Sequence, residues 1–155
     1  MSRFFPHTEY AEDQPLARTI LFTHVLNRGF QAGTAIGLLS CASQILLKGQ
    51  PITVLALVRS AGVGAAVGTG LGGIATMMRM RGREEIEWKD RSWALLENKG
   101  QVKVDNWSQP GMVLGAAAVA LRKAKAMGNG GWRGILGGAG IGSLIGTVGS
   151  MVLGG

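Results

Sequence analysis

The sequence predicts an all-α integral membrane bundle of four Gly-rich transmembrane helices, with three helices as the alternative, and a charged extramembrane loop. Composition is the first reason, because 46% of the 155 residues are hydrophobic, only 16% are charged and 26 are glycine. An average soluble domain has about 25% charged residues. The second reason is that the apolar residues gather into long stretches with almost no charge. The third is a small residue at every fourth position of these stretches.

The apolar stretches are near the length that a membrane span needs, because a helix of about 20 residues crosses the hydrocarbon layer. Residues 31–47 and 135–155 carry no charge, and residues 51–78 carry only Arg59. A fourth stretch, 110–121, is short, and it spans only if the basic residues after it reach back to the surface. The alternative for this stretch is a short buried or re-entrant helix. The predicted spans are about 24–47, 51–78, 110–126 and 133–154.

Outside the spans, the sequence predicts two extramembrane segments. Residues 1–19 precede the helical domain, which covers residues 20–155. Residues 79–109 form the loop between the second and third spans and carry most of the remaining charge of both signs. Within this loop, apolar residues between Ile86 and Leu96 fall near helical spacing and predict a short amphipathic helix. Such a helix lies on the membrane or a partner, or packs on its own protein.

The small residues of each span lie along one helix face, because positions four apart share a face of an α-helix. In lipid, no hydrophobic force draws helices together, and a face of glycines lets two backbones approach closely. The predicted helix-packing residues are Gly29, Gly33 and Gly37; Gly64, Gly68 and Gly72; Gly111 and Gly115; and Gly134, Gly138, Gly142, Gly146, Ser150 and Gly154. Since every span has this pattern, the helices are expected to form a tightly packed bundle.

The basic residues give the chain a net charge of +7 and a predicted pI near 10.3. They lie mainly beside the apolar stretches, which is typical of contact with acidic headgroups and not of nucleic-acid binding. The predicted lipid or subunit contacts are Arg59, Arg79, Arg81, Arg83, Arg122, Lys123, Lys125 and Arg133. A bound phospholipid such as cardiolipin is expected, and no other cofactor.

Arg59 is the one ionisable residue well inside a predicted span. A charge at the centre of a membrane helix costs about 2.5–3.5 kcal/mol on insertion scales. We therefore expect a compensating partner, such as a carbonyl group, a carboxylate of another subunit, a lipid headgroup or a water-filled groove. The alternative is that the span begins after Ser60, which leaves Arg59 near an interface.

The sequence predicts a non-catalytic protein. His7 and His24 are far apart in the chain, and the single cysteine, Cys41, lies in the first span, so the spacing suits neither a metal site nor a disulfide. All carboxylates lie outside the predicted spans, so no buried pair is expected for proton transfer. The GxGxxG pattern of residues 68–73 lies inside an apolar helix and not after a strand, which argues against a dinucleotide site.

The predicted architecture resembles the mitochondrial inner-membrane family of protein-translocase channel subunits. The likeness rests on four Gly-rich spans, the short first connection at residues 48–50, the charged central loop and the basic connection before the last span. This family includes an accessory membrane subunit of respiratory complex I, and residues 2–10 are similar to small fungal proteins attached to that complex. The resemblance implies a multi-pass protein of the mitochondrial inner membrane, with both termini in the intermembrane space and the basic loops in the matrix.

Two functions follow from the resemblance. The first is a non-catalytic accessory subunit of complex I (NADH:ubiquinone oxidoreductase), which contacts other subunits and membrane lipids and supports the assembly and stability of the membrane arm. The second is a subunit of an inner-membrane protein translocase or channel, in which polar residues and Arg59 line a groove. The polar residues considered for such a groove are Arg59, Gln44 and scattered Ser and Thr residues, and this sparseness favours the accessory subunit.

Overall fold

The computed structural model describes residues 4–49, 51, 53–123 and 131–153, and this part of the chain is entirely helical with no strand. A short 3-10 helix at Ala11–Asp13 precedes five α-helices. These are α1 (Ala17–Lys48), α2 (Val54–Met80), α3 (Glu85–Glu97), α4 (Lys99–Lys123) and α5 (Gly131–Val152). The predicted all-α class is therefore confirmed for the described residues.

Within the described ranges, three helices are long and apolar enough to cross a bilayer. They are α1, α2 and α5, with 32, 27 and 22 residues. Helix α1 covers the predicted span 24–47, and α2 and α5 cover most of the predicted spans 51–78 and 133–154. The 25-residue helix α4 is not among them, because its first half contains several charged and polar residues.

Helix α4 corrects the predicted boundary between the loop and the third span. It begins at Lys99, well before residue 110, so residues 79–109 are mostly helical rather than a loop. The Asn98 side chain accepts a hydrogen bond from the backbone N–H of Gln101 at 3.1 Å, and this starts α4 directly after α3. Pro110 lies inside α4 without ending it. The apolar pattern begins only at Pro110, which is why the sequence placed the start of the helix there.

Helix α3 packs on its own protein. Its Trp88 and Leu96 are buried, and Trp88 joins a small apolar core with Leu21 and Met80. The Trp93 indole N–H donates a hydrogen bond to the Thr8 carbonyl at 3.0 Å, so the N-terminal segment lies against α3. Of the alternatives for the amphipathic helix, the structure therefore shows the contact with its own chain.

The apolar side chains of the long helices point outward, and the small residues are inside. The buried residues of α5 are Gly134, Gly137, Gly138, Ala139, Gly140, Gly142, Ser143 and Ser150. In contrast, Ile145, Val148 and Met151 of the same helix are 67%, 58% and 70% exposed. A helix in water buries its large apolar residues instead. The observed distribution is typical of helices surrounded by lipid.

The order of contacts defines the direction of each helix. Along α1 and α2 the facing positions change in opposite directions, since Gly29 faces Gly68 and Gly37 faces Ser60, so the two helices are antiparallel. Helices α4 and α5 are related in the same way, and α1 also runs against α5. Consequently α2 and α5 point in the same direction. Helix α4 is the segment that returns the chain from the end of α2 to the start of α5.

The two ends of the bundle differ in charge. The end with the N-terminal segment and α3, which we call the mixed-charge end, has basic residues together with all nine Asp and Glu residues of the chain, at positions 9–13, 84–97 and 105. At the opposite end α1 is joined to α2 and α4 to α5. The charged residues of the described helices near this end are Lys48, Arg59, Arg122, Lys123 and Arg133, so we call it the basic end.

Candidate functional site: two glycine seams and a buried ion pair

Helices α1 and α2 touch through their backbones. A Cβ atom added to Gly33 would overlap the carbonyl oxygen of Gly64, and one added to Gly64 would overlap that of Gly33. The flanking positions are equally close. The six residues of this contact, the α1–α2 seam, are Gly29, Gly33, Gly37, Ser60, Gly64 and Gly68. Gly72 lies at the looser end, where a Cβ atom would be 3.2 Å from the Val25 carbonyl oxygen.

Helices α4 and α5 form a second contact of the same kind. Cβ atoms at Gly142 and Gly111 would each overlap the other's carbonyl oxygen, and Gly146 faces the carbonyl of Trp107. The residues of this α4–α5 seam are Gly111, Gly115, Gly138, Gly142 and Gly146. Two predicted packing residues of α5 lie on either side of this seam. Gly134 precedes it and lies beside the Val119 side chain, and Ser150 follows it and is buried. The predicted packing residue Gly154 lies outside the described residues.

A third close contact, between α2 and α5, was missed by the sequence analysis. A Cβ atom at Gly62 would overlap the carbonyl oxygen of Arg133, and one at Gly137 would overlap that of Val58. Nearby, Gly140 leaves room for the buried Thr34 of α1. The sequence does contain a signal, since a helix with small residues at both 137 and 138 has two small faces about 100° apart.

The three contacts unite two helical hairpins. Each hairpin, α1–α2 and α4–α5, is held along its length by a seam, and the Gly62–Gly137 contact joins one hairpin to the other. Backbones this close gain van der Waals contact and Cα–H···O hydrogen bonds that side chains would otherwise prevent. Because no glycine of the two seams has space for a methyl group, the described helices form a closely packed bundle.

A buried ion pair also joins the hairpins. Arg28 Nη2 of α1 donates to Asp105 Oδ1 of α4 at 2.7 Å and to Gln101 Oε1 at 2.7 Å. The Asp105 side chain is 2% exposed and that of Arg28 is 27% exposed. The sequence analysis did not identify this pair, because Asp105 belongs to the helical part of α4 that it assigned to a loop.

The ion pair continues as a hydrogen-bond network into α5. Arg28 Nη1 donates to Gln31 Oε1 at 2.7 Å, and Gln31 Nε2 donates to the fully buried Ser143 Oγ at 2.9 Å. The network therefore connects three helices at the mixed-charge end of the bundle. This pair holds the two hairpins together, because charge-assisted hydrogen bonds are stronger than those between neutral groups. Among the described residues, no group of three His, Cys, Asp or Glu side chains could hold a metal ion.

The predicted basic contact residues fall at the two ends of the bundle. At the mixed-charge end, Arg79 lines a cavity of about 560 Å³ with Arg91 and His24, Arg81 follows the last residue of α2, and Arg83 pairs with Glu87 at 3.1 Å. At the basic end, Arg59 and Arg133 line the same groove although they belong to different helices. Arg122 and Lys123 are the last two residues of α4, and their side chains are outside the described part of the structure. Lys125 is entirely outside it.

Together, the three apolar helices, the outward apolar side chains and the backbone seams are the features of a helical membrane protein. The family model described as "Protein of unknown function (DUF1757)" matches residues 2–152, nearly the entire chain. The chain therefore belongs to the DUF1757 family. No curated protein matches the chain.

Proposed function

We propose that this protein is a non-catalytic accessory membrane subunit of mitochondrial respiratory complex I that supports the assembly and stability of the membrane arm. The observation that carries the proposal is a closely packed bundle whose helices present apolar side chains outward. The second half of α2 presents Leu71, Ile74 and Met78 on one face, with 61%, 55% and 74% exposure. Such a face suits a neighbouring membrane helix or lipid. The resemblance to the translocase family and its complex I branch supports the choice of complex and of the inner membrane.

We further propose that α4 crosses the membrane as a fourth span. The direction of the helices supports this, because the chain must return from the end of α2 to the start of α5 and α4 covers that distance along α5. In its second half, Val113, Leu114 and Leu121 are 67%, 70% and 72% exposed, as expected for side chains that face lipid. Its polar first half lies at the mixed-charge end, where Asp105 meets Arg28.

Single-cysteine labelling tests the number of spans. In a Cys41→Ser background, Phe4→Cys and Leu153→Cys should react with a membrane-impermeant maleimide from the same side of sealed membranes. Pro51→Cys, in the connection between α1 and α2, is the control and should react only from the opposite side. If Leu153→Cys reacts from the same side as Pro51→Cys, the chain crosses three times and α4 does not span.

Extraction of mitochondrial membranes with a mild detergent, native gel separation and mass spectrometry test the complex. We expect the chain to migrate with NADH dehydrogenase activity and the core subunits of complex I. The alternative, a translocase or channel subunit, is favoured by the groove that contains Arg59, Ser40 and Gln44. Migration with translocase components, away from NADH dehydrogenase activity, would contradict the complex I proposal and support this alternative.

A further inference from the structure

The groove at the basic end lies on the bundle surface between α1 and α2, beside the start of α5. Its volume is about 430 Å³, and it is open to the surroundings of the bundle. The described residues that line it include two arginines and no acidic residue. It brings together Arg59 and Arg133, which are separated by 74 positions in the sequence.

Two arginines line this groove from different helices. Arg59 is in the second turn of α2, and Arg133 is in the first turn of α5; both side chains are exposed. The Arg133 Cζ atom lies 5.5 Å from the centroid of the Trp132 ring, a cation–π contact that helps to hold the guanidinium in place. Paired guanidinium groups are well suited to a phosphate group, because each offers two parallel N–H donors to its oxygens.

The polarity of the groove changes with depth in the membrane. Arg59 lies about 7–8 Å from the start of α2, whereas Val63 and Val67 lie roughly 6 and 12 Å deeper along the same helix. The antiparallel helix α1 has the same gradient, with Gln44 nearest the basic end and Ile36 deepest. The groove is therefore cationic and polar near the membrane surface and apolar toward the bilayer centre.

We propose that this groove binds one anionic phospholipid, whose phosphate contacts Arg59 and Arg133 and whose acyl chain lies along Val63 and Val67. The gradient matches the order of headgroup and chain in a lipid of one leaflet. A zwitterionic lipid fits less well, because its own cationic group would lie near the two arginines. The inference rests on the membrane placement in the proposed function and not on the identity of the complex.

The test is native mass spectrometry of the purified chain in detergent, titrated with phosphatidylglycerol and, separately, with phosphatidylcholine of the same acyl chains. We expect one phosphatidylglycerol to bind with clear preference. Arg59→Gln and Arg133→Gln should each weaken it about tenfold, the effect of losing one charge-assisted hydrogen bond. Val67→Trp fills the apolar part of the groove without changing charge and should also weaken binding.

The matched control is the pair Arg18→Gln and Arg91→Gln at the mixed-charge end, which should leave phosphatidylglycerol binding unchanged. If both arginine pairs lost phosphatidylglycerol binding equally, the protein would attract anionic lipid in general. If phosphatidylcholine bound equally well, the groove would not recognise the headgroup. Either result overturns the proposal. Displacement of the lipid by inorganic phosphate alone would indicate a free-anion site and also overturn it. If the arginine variants fail to fold, Val67→Trp still tests the proposal, because it fills the apolar part of the groove and removes no charged group. Migration of the chain away from complex I would not affect any of these results.

Discussion

Arg28→Leu is expected to lower the free energy of unfolding by about 3 kcal/mol, because removal of one partner leaves the other charge of a buried pair uncompensated. The remaining charge would be Asp105, whose side chain is 2% exposed and lies between helices. The loss also interrupts the hydrogen bonds that lead through Gln31 to Ser143. The measurement is equilibrium unfolding of the purified chain in detergent, monitored by circular dichroism.

A second ion pair provides the control for Arg28→Leu. Arg18 and Glu85 are 2.8 Å apart, but their side chains are 64% and 56% exposed, so Arg18→Leu should change stability by only about 0–1 kcal/mol. The double variant Arg28→Leu with Asp105→Leu should recover part of the loss, since no unpaired charge remains. If Arg28→Leu were no more destabilising than Arg18→Leu, the network would not hold the two hairpins together.

Gly142→Leu and Gly146→Leu are expected to have the second largest effect. The new Cβ atoms would overlap the carbonyl oxygens of Gly111 and Trp107, so α4 and α5 must move apart along the seam. Overpacking of this kind costs about 1–3 kcal/mol or more, because backbone atoms cannot give way as a flexible side chain can. Each variant should melt at a lower temperature in detergent and should be released from its complex on a native gel.

Gly70→Leu is the matched control for the seam variants. It makes the same substitution in a membrane helix, but a Cβ atom at Gly70 has no other atom within 4 Å. Because leucine has the higher helix propensity, this variant should be neutral or slightly stabilising. If Gly142→Leu and Gly146→Leu remained fully assembled and as stable as Gly70→Leu, close backbone contact would not hold the bundle together.

The sequence predicted the parts of the fold that depend on local pattern. The presence of α1, α2 and α5 follows from uncharged stretches, although α1 begins at Ala17, seven residues before the predicted span. The glycines of the α1–α2 seam also follow from a simple pattern, since they lie in four-residue repeats of consecutive helices. Such features are visible in one sequence because spacing alone encodes them.

The features that the sequence analysis missed depend on tertiary contacts. Arg28 and Asp105 are separated by 77 positions, and Asp105 lies in a segment whose charge resembles that of a solvated loop. The start of α4 was missed because Asn98 both ends α3 and caps α4, with no loop residues between them. The contact of Gly62 with Gly137 was missed because it depends on how one hairpin crosses the other.

The unequal charge of the two ends has an electrical consequence. A membrane potential does work on every charged group that crosses it, about 2.3 kcal/mol per elementary charge for 100 mV. Residues 44–60 and 121–135, which contain the two turns and the helix ends beside them, include cations and no carboxylate. Their transfer toward the negative side of an energised membrane is therefore downhill, and each turn favours the insertion of its own hairpin. For the inner-membrane location that we propose, the negative side is the matrix.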